Sequence, residues 1–133
     1  MVAETVPHDL LDHVMIAWNG SLEATRLIGQ SITLLHEAAG VTVVHARSER
    51  FEEARAADLC GDLRWHGIAV EAVTLDVGDG SSVGAAVLAE TERRCASMSA
   101  LGAYTHSRVR ELLLGGVTRH VDEKARIPVL MAH

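Results

Sequence analysis

The sequence predicts an α/β domain built around a parallel β-sheet. Short apolar runs alternate along the chain with longer segments whose apolar residues have helical spacing. Strands that alternate with helices favour right-handed crossovers and parallel pairing. A length of 133 residues suits one domain with a substantial core, and no internal repeat or linker divides residues 1–133.

The composition limits the classes of partner. Hydrophobic residues make up 48% of the chain, which argues against disorder, and aromatic residues only 3%, so the core must be largely aliphatic. The net charge of −6 disfavours nucleic acid or an anionic membrane as a main partner. No apolar run approaches the roughly 18 residues that a membrane span needs.

The N-terminus and the cysteines favour a cytoplasmic protein. Met1 to Leu11 carries acidic residues and a proline, and it has no basic region before an apolar one, so it does not resemble a signal peptide. Cys60 and Cys95 have no Cys-x-x-Cys spacing. We expect two reduced structural thiols.

The first third of the chain predicts a strand, a helix and a second strand. His13 to Trp18 is apolar, too short for a helix, and bounded by Asn19-Gly20-Ser21. Ser21 can cap a helix over Leu22 to Glu37, with Gly40 as a stop signal. Val41 to Ala46 is compact and β-branched, so it is predicted to be a buried strand.

The middle of the chain predicts a helix followed by an edge strand. Glu52 to His66 has helical spacing and ends at Gly67, and its core-facing positions are Ala56, Leu59, Cys60 and Leu63. A charged loop, Arg47 to Phe51, precedes it. Ile68 to Leu75 alternates apolar and polar residues, which is typical of a strand with one wetter face. A glycine- and serine-containing loop, Asp76 to Ser82, follows.

The last part of the chain predicts two more helices and two more strands. Val83 to Arg94 is a helix with Val87 and Leu88 facing inward. Ser97 to Leu101 is assigned to a strand by its position, although its residues are small and polar for a central strand. Val117 to Lys124 is predicted to be a helix. Ile127 to Ala132 is predicted to be the last strand, and Pro128 suits its start or an edge.

The stretch from Gly102 to Thr118 is the strongest candidate for a binding site. It begins with a glycine after a short apolar run, and the pair Gly115-Gly116 precedes the predicted helix at Val117. Glycines allow positive φ or close approach, and a helix start presents free N–H groups to an anion such as phosphate. The alternative is two ordinary loops around a surface helix.

This stretch resembles the nucleotide loop of the universal stress protein family. The pattern of the ATP-binding members is Gly, two residues, Gly, nine residues, Gly, then Ser or Thr. Gly102 and Gly115 match its first and third glycines, whereas Thr105 replaces the second glycine and Gly116 replaces the Ser or Thr. The resemblance extends over Val14 to Ser21, Val41 to Ala46 and Ile127 to Ala132.

The resemblance implies a Rossmann-like, adenine-nucleotide-binding fold. The sheet order is then 3-2-1-4-5 with helices on both faces. Ligands bind such sheets beyond the carboxyl ends of the strands, where the strand order reverses, here between strands 1 and 4. The implied nucleotide site consists of Asn19, Ala46, Gly102, Thr105, Gly115, Gly116, Val117 and Thr118.

The first two site residues have structural alternatives. Asn19 stands where ATP-binding relatives usually have Asp, and its amide can still contact the nucleotide. It can equally form an Asx turn that caps the first helix. Ala46 matches a family position whose backbone meets adenine, a contact that does not depend on the side chain. Its alternative role is simply that of a strand end.

The phosphate side departs further from the pattern. Thr105 would be strained by about 1–2 kcal/mol if it took positive φ, or its hydroxyl could instead donate to a phosphate. Gly116 lacks the family hydroxyl but keeps its N–H, and Thr118 could supply a hydroxyl or cap the helix. Arg108 and Arg110 could balance phosphate charge. They could also lie on a solvated or dimer-facing surface.

The sequence predicts no catalytic centre. His45, His106 and His120 could lie near the crevice, but no histidine pair has a metal-binding spacing. Neither a Gly-x-Ser-x-Gly elbow nor a Walker loop is present. The chain is therefore interpreted as a non-enzymatic, cytoplasmic stress-response module that holds ATP or AMP.

Two alternatives to this interpretation stay open. One is a dimeric stress module that binds no nucleotide, and the other is a slow ATP hydrolase or phosphotransferase.

A homodimer through Ile127 to Ala132 is expected, because the implied strand order leaves this apolar strand at a sheet edge.

Overall fold

The computed structural model describes residues 10–18, 20–47, 53–76, 83–102 and 126–132. These residues form β1 (Val14–Ala17), α1 (Leu22–Glu37), β2 (Val41–Arg47), α2 (Glu53–Trp65), β3 (Val70–Asp76), α3 (Val83–Arg93), β4 (Met98–Gly102) and β5 (Val129–Ala132). Every strand pair is parallel, in the order β3-β2-β1-β4-β5. The predicted α/β class and strand order are confirmed. The helix predicted over Val117 to Lys124 lies outside the described residues.

The helices cover both faces of the sheet. Side chains alternate between faces along a strand, so neighbouring residues join different core clusters. Val14 packs in a large cluster with Leu27 of α1 and Leu63 of α2. Leu101 belongs to a separate cluster with Leu88 of α3. The α1/α2 face and the α3 face therefore each have a packed core, as the crossover rule predicts. Among the described helices, none combines the length and apolarity that a bilayer crossing requires.

Helix α1 has the predicted boundaries, but it does not end at a glycine. Its first turn is capped by Ser21, whose Oγ accepts a hydrogen bond from Ala24 N–H at 3.1 Å. After Glu37 the chain becomes extended at Ala38, with φ −70° and ψ 135°. Gly40 instead contributes to the pairing of β1 with β2, because its carbonyl accepts a hydrogen bond from Val14 N–H at 2.9 Å.

Helices α2 and α3 end in the same left-handed turn, the Schellman motif. In α2, Gly67 has φ +80° and its N–H donates to the Arg64 carbonyl, while the next N–H, of Ile68, donates to the Leu63 carbonyl. In α3, Cys95 holds the equivalent position with φ +51°. The same two bonds form there, Cys95 N–H to Glu92 and Ala96 N–H to Thr91. The stop predicted at Gly67 is thus confirmed, and Cys95 takes a conformation that favours glycine.

Strand β4 is buried throughout in spite of its small and polar sequence. It begins at Met98 and ends at Gly102, one residue later at each end than predicted. Ser97 links the start of β4 to the segment that leads into β1. The Ser97 Oγ accepts a hydrogen bond from His13 N–H at 2.9 Å and donates one to the Leu10 carbonyl at 2.8 Å. Small residues suit this strand because helix α1 packs very closely on its far end.

The two cysteines occupy different environments. Cys60 is buried in the core on α2, as predicted, and burial raises the pKa of its thiol. Cys95 is exposed at the end of α3. Its place is set by the backbone turn rather than by core packing, so the expectation of a structural thiol holds for Cys60 alone.

An ion-pair network joins the end of α3 to the beginning of β3. Glu90, on the last turn of α3, accepts hydrogen bonds from the guanidinium groups of Arg93 and Arg94. Arg94 also reaches Glu71 of β3 at 3.0 Å. Hydrogen bonds from Arg93 and then Arg94 lower the pKa of the Glu90 carboxyl to about 2. Because Glu90 is 9% exposed, these charges are less screened than an ordinary surface pair.

The sheet edges carry the expected strands with slightly different boundaries. β3 forms one edge and extends to Asp76, and β2 extends to Arg47, so both strands are longer at their carboxyl ends than predicted. Arg47 and Asp76 form a salt bridge of 3.3 Å across them. β5 forms the other edge. It begins at Val129, two residues after the predicted start, and is half-buried along its length.

Replacing Cys95 by glycine is expected to stabilise the protein by about 1 kcal/mol, because it relieves a left-handed conformation that costs L-residues roughly 1–2 kcal/mol. Equilibrium unfolding in urea would measure the gain. Gly67→Ala is the matched opposite change, since it places a side chain in the same turn of α2, and it should lose about as much. If the Cys95→Gly variant is no more stable than the wild type, the left-handed conformation of Cys95 does not strain the backbone.

Replacing Glu90 by glutamine is expected to cost about 2–3 kcal/mol of unfolding free energy at pH 7, because the ionised carboxylate is held by two guanidinium groups. The folded pKa is about 2 and the ordinary value is 4.5. The contribution of Glu90 is therefore present above about pH 5 and is lost as the pH falls towards 2. Urea unfolding at pH 7, 4 and 3 should show the two proteins converging.

The exposed Glu92→Gln variant is the control for that measurement, since it removes a carboxylate from the same helix outside the network. If the difference in unfolding free energy between the wild type and Glu90→Gln stays constant down to pH 3, the lowered pKa of Glu90 does not contribute to stability as expected.

Candidate functional site

The carboxyl edge of the sheet brings two predicted site residues to either side of β1. Ala17, the last residue of β1, pairs with Val44 of β2 and with Leu101 of β4. Ala46 and Gly102 lie just beyond these partners on the two neighbouring strands. The strand order reverses here, because β2 and β3 extend to one side of β1 while β4 and β5 extend to the other. The structure thus forms the switch point at which such sheets bind ligands.

The turn from β1 into α1 crosses this edge. Trp18 N–H donates to the Val44 carbonyl at 2.9 Å, so pairing with β2 continues past the strand. Gly20 then takes φ +71°, a left-handed conformation that turns the chain towards the helix. The Trp18 side chain packs against the α1/α2 core cluster. Its Nε1 is buried without a hydrogen-bond partner in the described part of the chain, so packing rather than hydrogen bonding positions the ring.

Gly102 is the last residue of β4 and touches the first turn of α1. A Cβ built on it would lie 2.6 Å from Ala24 N and 3.0 Å from both Ala24 Cα and the Glu23 carbonyl carbon. All three atoms belong to the backbone and cannot move aside as a flexible side chain would. Gly102 does not have positive φ, and it belongs to the strand rather than to a loop. Its requirement for glycine therefore comes from helix packing.

The cap of α1 lies directly at this contact. Ser21 is 1% exposed, and its Oγ already occupies Ala24 N–H. The Ser21 carbonyl accepts from both the N–H and the hydroxyl of Thr25. Ala24 N–H therefore cannot serve an anion without loss of the cap.

The remaining predicted residues lie outside the described residues. They are Asn19, Thr105, Gly115, Gly116, Val117 and Thr118, and the same holds for Arg108, Arg110, His106 and His120. Of the eight predicted site residues, the structure therefore describes Ala46 and Gly102. Ala46 is a strand residue of intermediate exposure.

A buried polar pair that the sequence did not reveal lies beside the turn. His45 of β2 is 8% exposed, and its Nε2 is joined to the hydroxyl of Thr74 on β3 by a hydrogen bond of 2.8 Å. The two residues are direct partners in the parallel register. This bond gives His45 a structural role between two strands. In the sequence, the only sign of this role was a polar residue, His45, within an apolar strand. Its partner could not be predicted, because it depends on the register of β2 and β3.

Within the described ranges, no group of three or more His, Cys, Asp or Glu side chains could hold a metal ion. The strongly shifted carboxyl, Glu90, lies on the last turn of α3 and connects through Arg94 to the beginning of β3. That is the amino edge of the sheet, opposite the switch point.

Replacing Gly102 by alanine is expected to destabilise the protein by roughly 2–3 kcal/mol, because the new methyl group overpacks against the α1 backbone. Gly29→Ala is the control for the same chemical change. Gly29 lies within α1 with nothing within 4 Å of its Cβ position, so alanine there should gain about 0.5–1 kcal/mol. Urea unfolding of both variants checks the opposite signs. A Gly102→Ala variant as stable as the wild type would contradict the close contact.

Known structures share this architecture over most of the chain. No protein-family model and no curated protein matches the sequence. A universal stress protein from Archaeoglobus fulgidus DSM 4304 superimposes with a TM-score of 0.78 at 20% identity, over 99% of this chain and 47% of its own. This chain thus spans just under half the length of that structure.

Two further structures are similar over nearly their whole lengths. The universal stress protein from Archaeoglobus fulgidus in complex with dAMP has a TM-score of 0.67 at 20% identity, over 90% of this chain and 96% of its own. A universal stress protein family protein from Arabidopsis thaliana with AMP bound has a TM-score of 0.63 at 16% identity, over 90% of each chain. The resemblance drawn from the sequence is thus confirmed at the level of the fold: this chain has the fold of the universal stress proteins.

Proposed function

We propose that this chain is a stress-response module of the universal stress protein type that binds ATP or AMP at the switch point between β1 and β4. The observation that carries the proposal is the placement of Ala46 and Gly102 on either side of the end of β1. Open α/β sheets bind ligands at this position. Structures with the same fold include complexes with dAMP, cAMP and AMP, which supports an adenine nucleotide as the ligand.

The cap of α1 limits the donors that this helix offers to a phosphate. Ala24 N–H is already bonded to Ser21, and Gly102 packs against the same turn. The phosphate donors are instead proposed to come from the stretch from Gly102 to Thr118. The N–H groups of Gly115 and Gly116 are the proposed donors, with adenine against the backbone of Ala46.

The proposed activity is binding without turnover. ATP incubated with the protein and Mg²⁺ should stay intact, as measured by release of inorganic phosphate. Metal-dependent phosphate release would instead favour the alternative of a slow hydrolase or phosphotransferase.

Calorimetric titration of the purified protein with ATP, ADP and AMP is expected to show saturable binding of an adenine nucleotide. Thr105→Gly should raise ATP affinity by about 5- to 30-fold, because it restores the family glycine and removes a strain of roughly 1–2 kcal/mol. No heat of binding with any of the three nucleotides would favour the module that binds no nucleotide.

Thr105→Ser separates the two roles of that side chain. If the Thr105 hydroxyl contacts a phosphate, serine keeps the affinity while glycine weakens it, and the strain would be refuted. If the β-branched carbon is the obstacle, both replacements strengthen binding.

We also propose that the module is a homodimer through β5. This strand lies at the sheet edge, as the strand order requires, and it is half-buried and apolar. Ser99 N–H donates to the Pro128 carbonyl while Ser99 pairs with Val129. In a parallel ladder this arrangement turns the amide groups of Val129 and Met131 away from β4. They are therefore available to pair with a second copy of the strand.

Met131→Pro is expected to convert the dimer to a monomer, because proline removes an outward N–H that antiparallel pairing would use. Met131→Ala is the control, since it loses the same side-chain packing against Leu101 but keeps the N–H. Light scattering at micromolar concentration measures both masses. A monomeric wild type would refute the dimer, and a dimeric Met131→Pro variant would place the interface elsewhere.

A further inference from the structure

A groove with a volume of about 590 Å³ runs between α1 and α2. This volume lies within the range of small-molecule pockets. Its apolar wall consists of Ile28 and Ile32 from α1, Leu59 and Leu63 from α2, and Trp18 from the turn after β1. The groove lies on the α1/α2 face of the sheet. Ala46 is on the opposite, α3 face, because it is two residues after Val44 on the same strand and Val44 packs on that face. Neither Ala46 nor Gly102, the two described residues of the proposed nucleotide site, lines the groove.

Acidic side chains line the α2 side of the groove. Asp58 and Asp62 are one helical turn apart, so both fall on the same side of α2, and both contribute to the lining. Among the residues that the structure describes, the lining contains no lysine or arginine. Its further polar side chains are those of Thr25 and His66. The charge at this wall is complementary to a cation.

Trp18 adds an aromatic surface to the same groove. It lines the groove from the turn after β1 and packs against the α1/α2 core cluster. The face of an indole ring attracts ammonium groups and also packs well against apolar groups. An apolar wall, two carboxylates and an indole together suit a ligand that has an apolar body and a positive charge.

Gly29 keeps the α1 side of the groove open. It lies in the middle of α1 and lines the groove, and nothing is found within 4 Å of its Cβ position. Glycine inside a helix costs about 0.5–1 kcal/mol relative to alanine. Close packing with the described residues does not require glycine here, unlike at Gly102. The space above Gly29 is therefore free for a ligand.

We propose that the groove between α1 and α2 binds a small amphipathic amine. The alkyl or aryl body lies against Trp18 and the aliphatic wall, and the ammonium group faces Asp58 and Asp62. A carboxylate ligand of the same size would meet two like charges, and a neutral one would gain no attraction from the two exposed aspartates. This proposal does not depend on nucleotide binding, and either can fail without the other.

The fluorescence of Trp18 provides the test. Trp65 is 89% exposed, so Trp65→Phe removes the second tryptophan with little structural cost and leaves Trp18 as the sole indole. In this background, n-hexylamine, hexan-1-ol and hexanoate are titrated at constant ionic strength. The amine should change the Trp18 emission saturably, with an affinity at least about 10-fold higher than hexanol, and hexanoate should bind most weakly.

Three variants in the same background test the groove itself. Asp62→Asn should weaken n-hexylamine binding about 3- to 10-fold, while Glu92→Gln, which removes an exposed carboxylate on α3, should leave it unchanged. Gly29→Leu should abolish binding by filling the space, and circular dichroism would check that it remains folded.

Equal affinity for n-hexylamine and hexan-1-ol would overturn the proposal, as would a Gly29→Leu variant that is folded and binds normally. A Gly29→Leu variant that changes the mass of the protein in light scattering would overturn it too, by identifying the groove as an interface between copies of the chain.

Discussion

The close contact between the end of β4 and the first turn of α1 is the constraint on which the carboxyl edge of the sheet depends. Gly102 brings the strand so near that a single Cβ would collide with backbone atoms of Ala24. This contact sets how closely α1 approaches the sheet. It also lies at the cap of the helix, where Ser21 is buried and accepts the hydrogen bond from Ala24 N–H. The small residues of β4 are the consequence of that approach rather than a weakness of the strand.

The two edges of the sheet carry out different tasks. At the amino edge, Ser97 connects the starts of β1 and β4, and Glu90 connects α3 to β3 through Arg94. The strongest pKa perturbation in the described residues lies in this network, where it contributes to stability. The carboxyl edge instead presents the ends of β1, β2 and β4 at the point where the strand order reverses. The less exposed ion pairs, those of Glu90 and Arg94, therefore lie away from the switch point, whereas the ion pair at the carboxyl edge, Arg47–Asp76, is exposed.

The β1–α1 turn connects the two sites proposed for this chain. Trp18 faces the groove between α1 and α2, while Ala46 on the neighbouring strand faces the α3 side. The two ligands would be recognised by different chemistry, since one site needs donors for an anion and the other presents carboxylates to a cation. Measurements on one site are therefore informative without assumptions about the other.

The helices and the turn at Gly67 could be predicted from the sequence because they depend on local interactions. The boundaries of α1, the inward face of α2 and the stop at Gly67 follow from capping, helical spacing and glycine chemistry, all of which act between residues close in the chain. The α/β class follows from the alternation of these elements. The strand order required the family resemblance, because crossover rules alone leave several orders open.

Tertiary structure decided the features that depend on residues distant in sequence. Gly102 was chosen from the sequence as a phosphate-loop glycine, and only the structure reveals that its contact with Ala24 also requires a glycine there. His45 found its partner, Thr74, only through the register of β2 and β3. The groove exists only where α1 and α2 lie side by side, and its lining residues come from both helices and the turn after β1. These contacts cannot be predicted from a local sequence pattern, because they depend on how the helices and strands pack together in the folded sheet.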